Sequence, residues 1–286
     1  MSFAPVLPWW VMVPLTAAVV LGLGGVLFRA WTDRAGPGPV RGWLCRGGLV
    51  LLLLLAAFRP GIPGGTVQGA ASELDVFFVV DTSSSMAAED FAFRDSEGGS
   101  PRLDCVRQDI RAIAEELGGA RFALLTFDSL AVVRMPLTGD TSALGTAVSV
   151  LGPQVTAYSR GSSVTAAGPA LAERLTAAKQ GHPERPRLVF YLGDGEQTSA
   201  TAPPPLGVEA SLVSGGAVLG YGTAAGGRMK ENSGDPRRTS GTFIQDPGSG
   251  TDAVSRIDEI GLRGLAGQLS VPYVHRAAGD ATAPML

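Results

Sequence analysis

A doubly wound α/β domain with a mostly parallel central sheet, preceded by two transmembrane helices, is what this 286-residue sequence predicts. Three observations carry the expectation. From Glu73 onward, short apolar runs alternate regularly with helical patterns, which is the signature of strand–helix–strand units. Two of the apolar runs stop on a carboxylate, Asp81 and Asp194, where such sheets bind ligands, outside the carboxyl ends of their strands. The first sixty residues, by contrast, hold two apolar stretches and almost no acid.

Charge separates these regions. Residues 1–60 carry five Arg and one acid, Asp33, which leaves 18 bases and 25 acids for the remainder. A net charge of −3 argues against nucleic acid as a partner. From Met1 to Phe28 no side chain is charged, and "VLPWWVMVPLTAAVVLGLGGVLF" (6–28) is long enough to cross a hydrocarbon layer of about 30 Å. A cleaved signal peptide would need a basic segment before that run, and there is none. Trp9 and Trp10 sit near one end, where aromatic belts form. The second run, "WLCRGGLVLLLLLAAF" (43–58), is shorter and is read as a second span with Arg46 reaching the headgroups. The linker between them holds Arg29, Arg34 and Arg41, which places it in the cytoplasm. Everything beyond Arg59 then lies on the outer side of the cytoplasmic membrane. The division expected is an anchor (1–60), a linker (61–72) rich in Gly and Pro, an α/β domain (73–276) and a tail (277–286).

Within the domain, "ELDVFFVV" (73–80), "RFALLTFD" (121–128), "RLVFYLGD" (187–194) and "GGAVLGYGT" (215–223) read as central strands. "AVVRMPL" (131–137) reads as an edge strand ended by Pro136, and "VPYVHR" (271–276) as the last strand. "RLDCVRQDIRAIAEEL" (102–117) puts Leu103, Val106, Ile110, Ile113 and Leu117 on one helical face. Helices are also expected over 141–151, 165–179 and 258–269, with Pro169 in the first turn of the second of these. Cys45 and Cys105 read as free thiols, and no Cys/His spacing suits zinc.

The chemistry concentrates after the first strand, in "DTSSSMAAED" (81–90). Asp81, Ser83 and Ser85 alternate, so one carboxylate and two hydroxyls can converge. Asp194, in "GDGE", brings a second carboxylate, and Ser162 lies just before a helix. Hard oxygen donors of low total charge suit Mg2+, Mn2+ or Ca2+, with water filling the shell. The plainer alternative is that Asp81 and Ser83 only cap a helix. Glu196 reads as a solvated loop acid.

These motifs resemble the von Willebrand factor type A (VWA) domain, whose metal-ion-dependent adhesion site opens with D-x-S-x-S. They are closer still to the membrane-anchored VWA proteins of bacterial aerotolerance (Bat) operons. "AFRP" (57–60), "DTSSSMAAED", "PLTGD" (136–140), "GDGE" (193–196) and "GYGT" (220–223) match that pattern in order. The resemblance implies that Asp81, Ser83, Ser85 and Asp194 are site residues. It puts the family's threonine on Ser162, with Thr165 a lesser candidate. Gly193 departs from the family's Ser or Thr, the loops 91–101 and 226–252 are longer than usual, and no third span follows Arg276.

The resemblance implies a binding module, not an enzyme. A partner protein would complete the ion's shell with an Asp or Glu, and the segment "FAFRDSEGGSP" (91–101) is the first candidate for specificity. A second implication is an assembly role with other Bat-like membrane proteins or a MoxR-type AAA+ ATPase. A metal-dependent hydrolase is disfavoured. Haloacid-dehalogenase-type phosphatases need an Asp where Ser83 stands, and no G-x-S-x-G or G-x-G-x-x-G is present.

Overall fold

The computed structural model describes residues 73–91, 99–159, 161–199, 201–235, 241–277 and 280, together with isolated positions among the first 61. Of the first expected span, 6–28, only Pro14, Thr16, Ala17, Val19, Leu21, Gly22 and Gly25 are described, all of them helical; the second span, 43–58, the expected linker beyond Gly61, most of the tail and the centre of the 91–101 loop lie outside the described residues. Among those described, no helix is long and apolar enough to cross a membrane. The chain divides into two compact units, Met1–Thr66 and Val67–Leu286. In the first, Ser2–Phe3 pairs antiparallel with Pro60–Gly61.

The second unit follows the expected alternation. Its principal elements are β1 (Asp75–Asp81), α1 (Arg102–Glu116), β2 (Arg121–Phe127), β3 (Ala131–Thr138), α2 (Thr141–Ser149), α3 (Gly168–Gly181), β4 (Arg187–Gly193), β5 (Gly215–Tyr221), α4 (Glu259–Leu269) and β6 (Tyr273–Arg276). The sheet runs β6-β5-β4-β1-β2-β3. All neighbours are parallel except β3, which returns antiparallel along β2. The chain builds outward from β1 to β3, then crosses back to start β4 on the other side of β1. The strand order therefore reverses between β1 and β4, which opens a crevice at their carboxyl ends.

β1 is buried along its whole length, and its side chains serve two cores. Val76, Phe78 and Val80 pack with Ile110 and Ile113 of α1 and Leu144 of α2. Phe77 and Val79 face the other way, towards Leu171 and Leu175 of α3 and Leu262 and Leu265 of α4. Successive strand residues point to opposite faces, so a strand with helices on both sides must be apolar through its interior, with Asp75 and Asp81 confined to its two ends. Phe78 stacks between Phe122 and Phe190, with ring centroids 6.1 and 5.8 Å away. Burying each such ring contributes roughly 1.5–3 kcal/mol.

Two boundaries differ from expectation. β3 continues through Pro136 to Thr138, and its ladder with β2 is irregular on both sides of Leu124. An edge strand tolerates a residue without an N–H, because one side of it needs no partner. α3 begins at Gly168, three residues later than expected. Residues 163–168 instead form successive turns, with Ala166 N bonded to Ser163 O and Gly168 N to Thr165 O. Pro169 sits in the first turn of the shortened helix, as its lack of an N–H allows.

Candidate metal centre

β1 delivers Asp81 as its last residue, fully buried. Thr82 then turns inward. Its N–H and hydroxyl both donate to Phe127 O at the end of β2, at 2.8 and 3.0 Å. That anchor directs the next residues back over the strand end. Ser83 N–H donates to Asp81 Oδ1 at 2.8 Å, and the Ser83 and Ser85 hydroxyls meet at 2.7 Å. The alternation of the D-x-S-x-S motif thus brings its three polar side chains together, as expected. A short 3-10 turn, Ser84–Ala87, follows, and Ser83 occupies its N-cap position without any side-chain cap bond. The helix-capping reading therefore fails for this loop.

β4 and β1 are neighbours, so Asp194, the residue after β4, comes close to Asp81. The contact is tight enough that a Cβ on Gly193 would lie 3.0 Å from Asp81 Cβ and 3.3 Å from its Oδ2. The Ser or Thr expected by resemblance would press on the carboxylate here, and glycine relieves that. Ser162 is held beside the same loop. Its hydroxyl lies 3.1 Å from Glu196 O and from Thr198 Oγ1, and its N–H donates to Thr198 Oγ1 at 2.7 Å. Tyr191 on β4 pins this segment from below by donating to Val164 O at 2.9 Å. Thr165 stays in the turn before α3, 3.4 Å from the Ser163 hydroxyl.

Burial, followed by the negative charge of Asp194, pushes the Asp81 carboxyl up to about 8. Its Oδ2 is buried and has no hydrogen-bond partner. An orphaned carboxylate oxygen normally costs about 1–3 kcal/mol, more if charged, so a native site that keeps one calls for a ligand. Oxygen donors around it suit a hard divalent ion. Among the described residues no three His, Cys, Asp or Glu side chains gather at one point, so hydroxyls and water must supply most of any shell. Within those limits the residues fit Mg2+ or Mn2+: Asp81, Ser83 and Ser85 closest, with Asp194 and Ser162 around them.

Asp194 is not free. Its Oδ1 accepts Glu196 N–H at 2.9 Å, and its Oδ2 accepts Arg102 Nη1 at 2.7 Å. Arg102 opens α1 and is wholly buried. Its Nε and Nη2 bind both oxygens of Asp90, at 2.8 and 2.7 Å. Nη1 also donates to Ser255 Oγ at 2.8 Å, and Nη2 to Ser255 O at 3.0 Å. Burial would lower the Arg102 pKa, but the two carboxylates outweigh it and hold it above the usual value. Burial likewise opposes ionisation of Asp90. Arg102, with the N–H and hydroxyl of Thr223, more than offsets that and keeps its pKa low. Gly222 makes room for the guanidinium: at φ 120° a Cβ there would strike Arg102 Nε at 2.6 Å.

Glu196 belongs to this network and is not the solvated loop acid expected. It is partly buried and accepts the Ser255 hydroxyl. Burial, with the charge of Asp194, raises its pKa against the opposing pull of Ser255. Arg102, Asp90 and Ser255 were absent from the sequence-level list of site residues. One signal pointed to Arg102: a base in the first turn of a helix opposes the helix dipole, and so needs an acid to hold it there.

The sequence model of the von Willebrand factor type A domain matches residues 76–197. No curated protein matches the chain. Among solved structures, BatB from Bacteroides thetaiotaomicron is similar at 18% identity and a TM-score of 0.56, over 72% of this chain and 91% of that one. An aerotolerance-related membrane protein from Bacteroides fragilis NCTC 9343 is similar at 19% identity and a TM-score of 0.56, over 74% of this chain and 94% of that one. At such identities the likeness is one of fold.

Proposed function

Because residues 76–197 match the model of the von Willebrand factor type A domain, we propose that this chain is a membrane-tethered binding module that holds one Mg2+ or Mn2+ at the edge of β1 and β4. A carboxylate from a partner protein completes the shell. The observation that carries this reading is the buried, unpartnered Asp81 Oδ2 beside the paired hydroxyls of Ser83 and Ser85. Asp81 is the direct carboxylate ligand. Ser83 and Ser85 are neutral donors, and Ser162 and Asp194 orient water around the ion. Such a set supplies little negative charge, so an Asp or Glu side chain from outside is the natural complement. The bound ion would serve as a bridge; the Ser255 hydroxyl, which donates to Glu196, is fully buried beneath the Arg102 guanidinium and offers no open nucleophile.

The experiment is capture from cell-envelope extract by the detergent-solubilised chain, with and without EDTA. Capture is expected to be lost on chelation, lost in Asp81→Ala, and restored in the wild type by added Mg2+. Capture that survives both EDTA and Asp81→Ala would show that binding uses another face.

The membrane tether rests on the two apolar runs and on the similarity to a membrane protein of the same fold. Pairing of Ser2–Phe3 with Pro60–Gly61 also supports it, because a two-span hairpin must bring its ends to one side. With the Arg-rich linker inside, the domain faces outward. A cysteine placed at the exposed Ser249 should react with a membrane-impermeant thiol reagent in intact cells. Labelling only after lysis would put the domain in the cytoplasm, within reach of a MoxR-type ATPase.

A further inference from the structure

Asp90, Asp194 and Ser255 come from three different loops, and Arg102 is the one side chain that binds all of them. Asp90 ends the loop that carries Ser83 and Ser85. Ser255 lies in a two-residue strand paired with Gly227–Arg228, at the far end of the long loop after β5. A buried cation is therefore built into the edge that is to receive another cation.

We infer that Arg102 is a positioning residue that sets the metal affinity of this centre, by occupying Asp194 Oδ2 and holding that carboxylate back from direct ligation. The inference rests on the reading of the Asp81 edge as a divalent-ion site. With Oδ1 given to Glu196 N–H and Oδ2 to the guanidinium, Asp194 is left to act through water. The fixed positive charge also repels the ion. Within several ångströms, a unit charge and a divalent ion repel by the equivalent of about tenfold in affinity even at the dielectric of water. Asp90 moderates the effect, since its two bonds draw the guanidinium's charge away from Asp194. The centre is thereby kept weak towards Mg2+ alone and dependent on a partner's carboxylate. Because the same guanidinium holds Ser255, that weakness is tied to the placement of the 223–256 segment.

Calorimetric titration of the full chain in detergent with MgCl2 tests this. Arg102→Gln is expected to bind Mg2+ about tenfold more tightly or better, even as its melting temperature falls. Structural damage alone would weaken binding, so the opposite signs identify the role. Asp90→Asn keeps Arg102 in place but leaves its charge on Asp194, and should bind Mg2+ severalfold more weakly. This second variant decides the matter if Arg102→Gln does not fold. Unchanged affinity in Asp90→Asn, or unchanged or weaker affinity in a folded Arg102→Gln, overturns the inference. If Asp81→Ala still abolishes binding in that case, only the role of Arg102 falls. If neither wild type nor any variant binds Mg2+, the metal-centre reading falls with it.

Discussion

Asp81→Asn is expected to abolish Mg2+ binding and, at the same time, to raise the melting temperature of the metal-free protein by several degrees at pH 7.5. The sign follows from the raised carboxyl. In the folded metal-free chain Asp81 keeps its proton up to about pH 8, whereas its ordinary value is 3.8. Between those values the folded state binds one proton more than the unfolded state, so stability falls as pH rises, by up to about 1.4 kcal/mol per pH unit. Asparagine never ionises and removes that loss. The gain should therefore vanish near pH 4 and grow towards pH 8. Metal reverses the effect in the wild type, because an ion bound to the carboxylate displaces the proton. Mg2+ affinity should accordingly rise with pH through that window, with about one proton released per ion bound. Thermal melts of wild type and Asp81→Asn at pH 4.5, 6 and 7.5, with and without MgCl2, check all three statements. A variant no more stable than wild type at pH 7.5 in EDTA would show that Asp81 carries no strain in the metal-free fold.

Asp109→Ala should lose about 3–5 kcal/mol of stability, the cost of breaking a buried ion pair by removing one member. Asp109 projects from α1, where Arg276 Nε donates to its Oδ2 at 2.8 Å and Nη2 to its Oδ1 at 2.9 Å. Tyr221 adds its hydroxyl at 2.8 Å. Both members of the ion pair are almost wholly buried. Removal of the carboxylate takes both of these bonds from the guanidinium at the end of β6, which keeps the more exposed Asp280, 3.8 Å from its Nη1, and cuts the polar tie between the last strand and α1. For a domain of this size the drop corresponds to roughly 10 °C in melting temperature. Tyr221→Phe removes only one hydrogen bond and should cost about 1 kcal/mol. A loss below 1 kcal/mol in Asp109→Ala would mean that β6 is held by its ladder with β5 and its contacts with α4 instead.

The strands were readable because a strand covered on both faces has nowhere to place a polar side chain. "DVFFVV" and "LVFYL" carry that requirement openly. Asp81 and Asp194 were readable for the complementary reason, since a carboxylate directly after such a run can only lie at the strand's open end. The start of α3 was not. Nothing in the local preferences of Ser163–Ala167 forbids a helix, and the turns there are held by distant groups: Tyr191 bonds Val164 O, and Gln197 Oε1 accepts Val164 N–H. Glu196 looked solvated because its loop is polar, and only the approach of Ser255, 59 residues away, buries it.

By itself, then, the sequence determined the alternating fold and the strand ends at which Asp81 and Asp194 stand, and it put forward Asp81, Ser83, Ser85, Ser162 and Asp194 as candidates. The fold follows from periodicity, Asp81, Ser83, Ser85 and Asp194 from their placing directly after apolar runs and from short-range spacing, and the choice of Ser162 from the resemblance. Tertiary structure alone decided the electrostatic state of that edge. Arg102 meets Asp194 across 92 residues and Ser255 across 153. Pairings of that span leave no periodic trace, because they depend on which strands become neighbours and on how the connecting loops return. The Arg102 guanidinium is buried against the carboxylate beside Asp81, and only folding brings the two together.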